Sequence, residues 1–245
     1  MSGHSHWAKI KRAKAGTDAK RGKVWSKIAR KIIVAARAGG GNPAENLTLR
    51  YTIDEARAEN MPKDTIEKAI MKGPGELGGA NYEEAVYEGY GPGGIAIVIE
   101  ALTNNRSRTA PELRKAFEVA GGNLAQSGSV AFQFTKRGII SVKSDATTED
   151  KLIEIALEAG ADDVLNEGEI FIVYTGPAAM YKVKEIIIAA GIPVLAFEVS
   201  FQPNSTIPLE THAAEKILRL INTLEDNEDV QNVSHNAEIP ESVEV

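Results

Sequence analysis

Apolar residues in the first quarter of the chain recur every three to four positions. Val24, Ile28, Ile32 and Ala35 form one stripe, widened by Trp25 and Ala36, which predicts a helix from about Thr17. Gly39-Gly40-Gly41 ends it, because glycine propagates helix poorly and takes the left-handed capping conformation. Asn42-Pro43 predicts the opening of a second helix, with Leu47, Tyr51, Ile53 and Ala56 on its apolar face. A third begins near Pro62 and runs through Ile66, Ala69 and Ile70 to Gly73, with proline in its first turn and glycine past its last. The pattern therefore predicts a small helical domain within residues 1–73, and GPGELGGAN (73–81) reads as a linker.

Beyond the linker the period changes to two. YEEAVYEGY and GIAIVIEAL predict strands, the second rich in Ile and Val. Thr109-x-x-Glu112 reads as a capping box, with Pro111 in the first turn of a helix carrying Leu113, Ala116, Phe117 and Ala120 on one face. Gly121-Gly122 ends that helix, and SVAFQF predicts a further strand. Residues 138–201 alternate as strand, helix, strand, strand, helix, strand, the order of a ferredoxin-like unit. A helix over about 210–224 (Ala214, Ile217, Leu218, Ile221) and a strand near QNVSHNA follow. Alone, those last two elements cannot bury their apolar faces. The expected fold class is α+β. It comprises a helical domain (1–73), a discontinuous α+β middle domain (82–134 with 205–245), and a ferredoxin-like domain (138–201) inserted into the middle one.

Composition narrows the chemistry. The 245 residues contain no cysteine, which removes disulfides, thiolate metal sites and cysteine nucleophiles. No apolar run reaches the ~20 residues of a membrane span. The basic N-terminus lacks the apolar core of a secretory signal and runs straight into a patterned helix, so a cytoplasmic protein is expected. GYGPGG (89–94) lies between two strands rather than opening a helix, so it reads as a hairpin connection and not a phosphate loop. His4-Ser5-His6 has no cysteine or carboxylate neighbour and predicts no metal site. His212 and His235 show no serine or acid partner; neither a catalytic set nor a cofactor is indicated.

Charge is the outstanding feature. Residues 1–40 carry eleven Lys/Arg and one acid, a net of +10; because the chain totals −6, the remainder carries −16. Residues 1–16 lack apolar periodicity and read as a basic arm with Trp7, Lys9, Lys11, Arg12 and Lys14. Lys20, Lys23, Lys27, Arg30 and Lys31 continue the charge along the first helix as a ridge beside the apolar stripe, and Arg21 adds to the basic charge there. No acid stands four residues on to neutralise them, so the ridge is expected not to be a salt-bridged surface. Trp7 offers a stacking plane within a cationic segment, which suits unpaired bases. The partner these residues point to is nucleic acid, approached by the N-terminal end while the acidic remainder faces away.

SGHSHWAKIKRAKAGTDAKRGKVWSKIARKI, AARAGGGNP, NMPKDTIEKAI, YEGYGPGGIAIVIEALTNNRSRT and GGNLAQSGSVAFQF closely resemble the YebC/PmpR family, which includes mitochondrial translational activators of cytochrome c oxidase. The resemblance spans essentially the whole chain, with Trp25 in place of a different aromatic and a less similar tail after about 225. It implies a three-domain α+β protein and a cytoplasmic factor without enzymatic activity. The family's usual label implies a DNA-binding transcriptional regulator; an alternative role is at the ribosome, relieving stalling on proline-rich nascent sequences. No helix in the chain displays an obvious set of Arg, Asn or Gln for base edges, which favours phosphate contact and an rRNA partner over promoter DNA. Arg106 and Arg108 in TNNRSRT (103–109) are expected as auxiliary contacts, and a monomer is the default.

Overall fold

The computed structural model describes residues 18–74, 81–240 and 243, with side chains described from residue 21 onward. These residues form two compact units. One joins residues 18–74 and 81–127 to 215–233, and the other joins 128–214 to 234–240 and 243.

In the first unit the apolar stripe folds as α1 (Asp18–Gly39). Its Ile28, Ile32, Ala35 and Ala36 pack on Leu49, Ile53 and Ala56 of α2 (Leu47–Ala58) and on Ile66 and Ala69 of α3 (Lys63–Lys72). Trp25 lies against this core and its indole N–H donates to the Glu59 carbonyl at 3.0 Å. The second helix starts later than Asn42-Pro43 predicts. Asn42 instead closes a turn, accepting from the Ala44 amide on its side chain (3.1 Å) and from the Glu45 and Asn46 amides on its carbonyl (3.1 and 3.0 Å). Asn46 is the true cap, its Oδ1 accepting the Leu49 amide at 3.1 Å. Its Nδ2 donates to the carbonyls of Ala35 and Gly40, both at 2.8 Å, so one buried amide joins the end of α1 to the start of α2. Leu47, expected on the apolar face, is exposed, and Leu49 is buried in its place because the cap sets the helix phase.

The two-residue period gives β1 (Glu83–Tyr90) and β2 (Ala96–Thr103), an antiparallel pair running from Glu83↔Thr103 to Tyr90↔Ala96. GYGPGG connects them through a tight turn in which Gly93 and Gly94 both have φ of 75°. That glycine run is required by hairpin geometry. The sheet order is β3-β1-β2-β9, with β3 (Asn123–Leu124) and the late strand β9 (Val230–His235) at its edges. α4 (Arg106–Ala120) packs on β1 and β3. It starts three residues before the predicted capping box, because the Asn105 side chain caps it by accepting the Arg108 amide at 3.2 Å. Thr109 is thereby inside the helix and free to turn its hydroxyl inward. α7 (Thr211–Glu225) buries Ile217, Leu218, Leu220, Ile221 and Leu224.

The second unit contains β4 (Phe134–Lys143), α5 (Glu149–Ala159), β5 (Asp163–Asn166), β6 (Ile170–Thr175), α6 (Met180–Ala189) and β7 (Val194–Pro203). The sheet order is β5-β6-β4-β7 and every pair is antiparallel, the ferredoxin-like arrangement. Ile140, Val142, Phe171 and Val173 face Leu152, Ala156, Val183 and Ile187 of the two helices. SVAFQF is not a strand throughout. Gln133 N–H bonds the Val130 carbonyl at 2.9 Å, closing a turn over Ala131–Gln133 that sends Phe132 to the surface. β8 (Ile207–Pro208) pairs in parallel with β10 (Ala237–Glu238). The fold class is α+β.

Candidate nucleic-acid interface

Lys23, Lys27 and Arg30 are four and three residues apart, which puts them on one side of α1, next to the face that buries Ile28 and Ile32. That side meets the turn that leaves α7. Lys23 Nζ lies 3.0 Å from Asp226 Oδ1. Lys27 Nζ donates to the Glu225 carbonyl at 2.6 Å, satisfying a carbonyl at the negative end of α7. Arg30 forks onto residue 228, donating through Nη1 to the Glu228 carbonyl and through Nη2 to Glu228 Oε2 at 2.9 Å. Its guanidinium also stacks 5.6 Å from the centre of the Tyr82 ring. Lys31, one residue round the helix, pairs with Glu55 of α2 at 2.7 Å.

The ridge is therefore a salt-bridged surface, contrary to the expectation from spacing. The absence of acids at i+4 is correct, but the neutralising groups arrive from α2 and from a turn about two hundred residues away. The Lys23–Asp226 contact, for instance, joins residues 203 apart.

Asp229 forms the inner end of the same turn, its side chain 3% exposed. Oδ2 accepts from Arg108 Nη2 at 2.6 Å, from Thr109 Oγ1 at 2.7 Å and from Thr103 Oγ1 at 3.1 Å. Oδ1 has no hydrogen bond and lies 3.7 Å from Arg30 Nη2. The backbone is fixed too, since Leu102 N–H donates to the Asp229 carbonyl at 2.8 Å and the Asp229 amide donates to Asn227 Oδ1 at 2.9 Å. Burial alone pushes this carboxyl up. Hydrogen bonds from Thr109 and Arg108, the Arg108 charge and the Thr103 bond outweigh it, holding Asp229 below the ordinary carboxylate range. Arg108 is correspondingly raised, chiefly by its hydrogen bond to Asp229. Nearby, the Tyr87 hydroxyl is buried without a hydrogen bond, and burial first, with help from Asp229 and Glu83, raises its pKa.

TNNRSRT thus acquires a structural account residue by residue. Thr103 ends β2, Asn105 caps α4, Thr109 and Arg108 hold Asp229, and Arg106 bridges to Glu83 at 2.9 Å and to the Glu84 carbonyl at 2.9 Å. Of the other residues singled out from the sequence, Trp7, Lys9, Lys11, Arg12 and Lys14 lie outside the described residues, as do His4 and His6. Lys20 lies in α1 but its side chain is outside them, and Arg21 is exposed on the helix. Asp226, Glu228 and Asp229 belong to the site without any local signal that pairs them with α1 or α4. The acidic run EDNED (225–229) that supplies them is visible in the sequence, but nothing in it says which cations it meets. Among the described residues there is no cluster of three metal-ligating side chains, and no helix long and apolar enough to cross a membrane.

An α+β chain with a ferredoxin-like unit and a cation-bearing first helix is the class these features define. Residues 5–76 match the family model described as the TACO1/YebC protein N-terminal domain, and residues 82–237 match the TACO1/YebC second and third domain. The chain belongs to the TACO1/YebC family. A relative from Acidithiobacillus ferrooxidans, named "Probable transcriptional regulatory protein", is 53% identical over 98% of this chain and 95% of its own. A Treponema denticola protein of the same name is 47% identical over 100% of this chain and 99% of its own. The crystal structure of a conserved hypothetical protein from Aquifex aeolicus matches with a TM-score of 0.85 at 45% identity, covering 94% of this chain and 95% of that one.

Proposed function

We propose that this protein is a non-enzymatic, cytoplasmic nucleic-acid-binding regulatory factor, and that its partner is rRNA within the ribosome, where it relieves stalling at proline-rich sequences. The observation that carries the reading is the charge contrast of +10 over residues 1–40 against −16 over the remainder. Such a contrast orients a molecule on a polyphosphate before any specific contact forms. Trp7, Lys9, Lys11, Arg12, Lys14, Lys20, Arg21, Lys23, Lys27, Arg30 and Lys31 are the proposed contacts, with Arg106 and Arg108 auxiliary. The proposed organisation remains a helical domain over 1–73, a middle domain over 82–134 with 205–245 and an inserted domain over 138–201.

A second reading, a DNA-binding transcriptional regulator, is favoured by the name that the relatives carry. Against it, the cations of α1 suit phosphates, which confer affinity without sequence information. The decisive experiment is to identify the nucleic acid that copurifies from cells. Ribosomal RNA supports the translation reading, and discrete promoter fragments overturn it. With about five phosphate contacts, affinity falls with salt at a log–log slope of roughly −3.5 on single strands or −4.5 on duplex DNA. A flat salt dependence defeats both readings. Deletion of residues 1–16 is expected to abolish co-sedimentation with ribosomes.

A further inference from the structure

The turn over residues 225–229 presents carboxylates to the same cations that the charge contrast assigns to a polyanion. Lys23 to Arg30 covers about 10 Å of helix, the rise of about three nucleotides of one strand. On that length the turn supplies Asp226, Glu228 and the Glu225 carbonyl, each within 3.0 Å of a cation of the ridge. Three successive cations of the ridge thus already face oxygen acceptors supplied by the chain itself.

We infer that this turn is an internal competitor for the ridge of α1, and that an RNA strand displaces Asp226 and Glu228 when it engages Lys23 and Arg30. The inference rests on the nucleic-acid reading of α1 given above. The two halves of the turn differ in the way such a device requires. Asp226 and Glu228 are 67% and 62% exposed, and pairs of this kind are weak in water and screened by salt. Asp229, the residue after Glu228, is held at 2.6–3.1 Å by Arg108, Thr103 and Thr109, none of which belongs to α1, whereas its contact with Arg30 of α1 is longer, at 3.7 Å. The outer carboxylates can therefore exchange for phosphates while Asp229 keeps the turn attached to β2 and α4. Displaced carboxylates reclaim counterions, so the competitor lowers both the affinity and the net ion release of binding.

The test compares full-length protein, the double variant Asp226→Asn/Glu228→Gln, and a control of equal charge change, Glu45→Gln/Glu118→Gln, whose side chains are exposed on the turn before α2 and on α4. Binding of a labelled oligouridine is followed by anisotropy across a salt series. The double variant is expected to bind roughly 2- to 30-fold tighter than the parent, the range for releasing two exposed pairs. Its salt slope should steepen by about 1.4, for two cations at about 0.7 each. Hydrogen exchange provides a second readout: oligouridine is expected to accelerate exchange at the Asp226 and Asn227 amides of the parent protein, which bond the Asn222 and Leu224 carbonyls, while the Asp229 and Val230 amides stay protected. Equal affinities for the double variant and the control, or unchanged exchange in the turn, overturn the competitor while leaving the ridge as a binding surface. Absence of salt-dependent binding by the parent and the double variant alike overturns the nucleic-acid reading itself.

Discussion

Two buried side chains in the first unit join elements that local sequence keeps apart. Asn46 is neutral, 6% exposed, and uses both ends of its amide: the oxygen caps α2 and the nitrogen holds the carbonyls of Ala35 and Gly40. Asp229 is ionised, 2% exposed, and collects two hydroxyls and a guanidinium from β2 and α4. Both satisfy buried polar groups that cost free energy if left alone. They differ in what they respond to: an amide has no titration in the accessible range, whereas a carboxylate links its contacts to pH and to the charge of its neighbours.

The largest effect is expected from Asp229→Ala, which removes the buried acceptor shared by the Thr103 and Thr109 hydroxyls and the Arg108 guanidinium. Unfolding by denaturant should show a loss of about 3 kcal/mol, towards the low end for a broken buried pair because Arg108 is half-exposed. A loss below about 1 kcal/mol would mean that water replaces the carboxylate there. Asn46→Ala comes next, at about 2 kcal/mol for the lost cap and the lost bonds to the Ala35 and Gly40 carbonyls. Gly39→Ala probes the same junction from the other side, since an added Cβ would lie 2.7 Å from Asn46 Cγ. It should cost about 1–2 kcal/mol, unless the amide moves and gives up its bonds.

pH then separates the two sites. Asp229 has a folded pKa below its unfolded one, so the unfolded chain binds more protons as pH falls below the unfolded value of about 3.9. Its stabilisation is present above that value and is lost as pH falls through the folded one. Acid unfolding of Asn46→Ala should keep this dependence, and Asp229→Asn should flatten it. An unchanged acid profile in Asp229→Asn would mean that other carboxylates dominate. The smallest effect is expected from Tyr87→Phe, which removes a buried hydroxyl that has no hydrogen bond. Its thermal midpoint should correspond to a change within about 0.5 kcal/mol of zero or a slight gain.

Several features were legible because they are periodic. The stripe of α1 and the hairpin around GYGPGG follow from side-chain spacing and turn chemistry, and the order of elements over 138–201 led directly to a ferredoxin-like sheet. Errors gathered where a polar side chain had a choice of partner. Thr109 looked like a helix cap because Glu112 follows three residues later; it is inside α4 because Asn105 caps and Asp229 draws the hydroxyl inward. Asn42 looked like a helix start and is a turn, because Asn46 has two carbonyls of its own to hold.

By itself the sequence determined most of the residues that face a core, where most helices stop, and that positive charge gathers at one end. These are properties of neighbours along the chain, written in periods of two and 3.6 and in simple sums of charge. Only the tertiary structure decided which charges meet. Lys23 and Asp226, or Arg108 and Asp229, are brought together by packing across 203 and 121 residues, and no local spacing encodes that distance. The ridge of α1 is basic because of its sequence; it is occupied because β9 returns to the sheet beside β2 and carries the acidic turn with it.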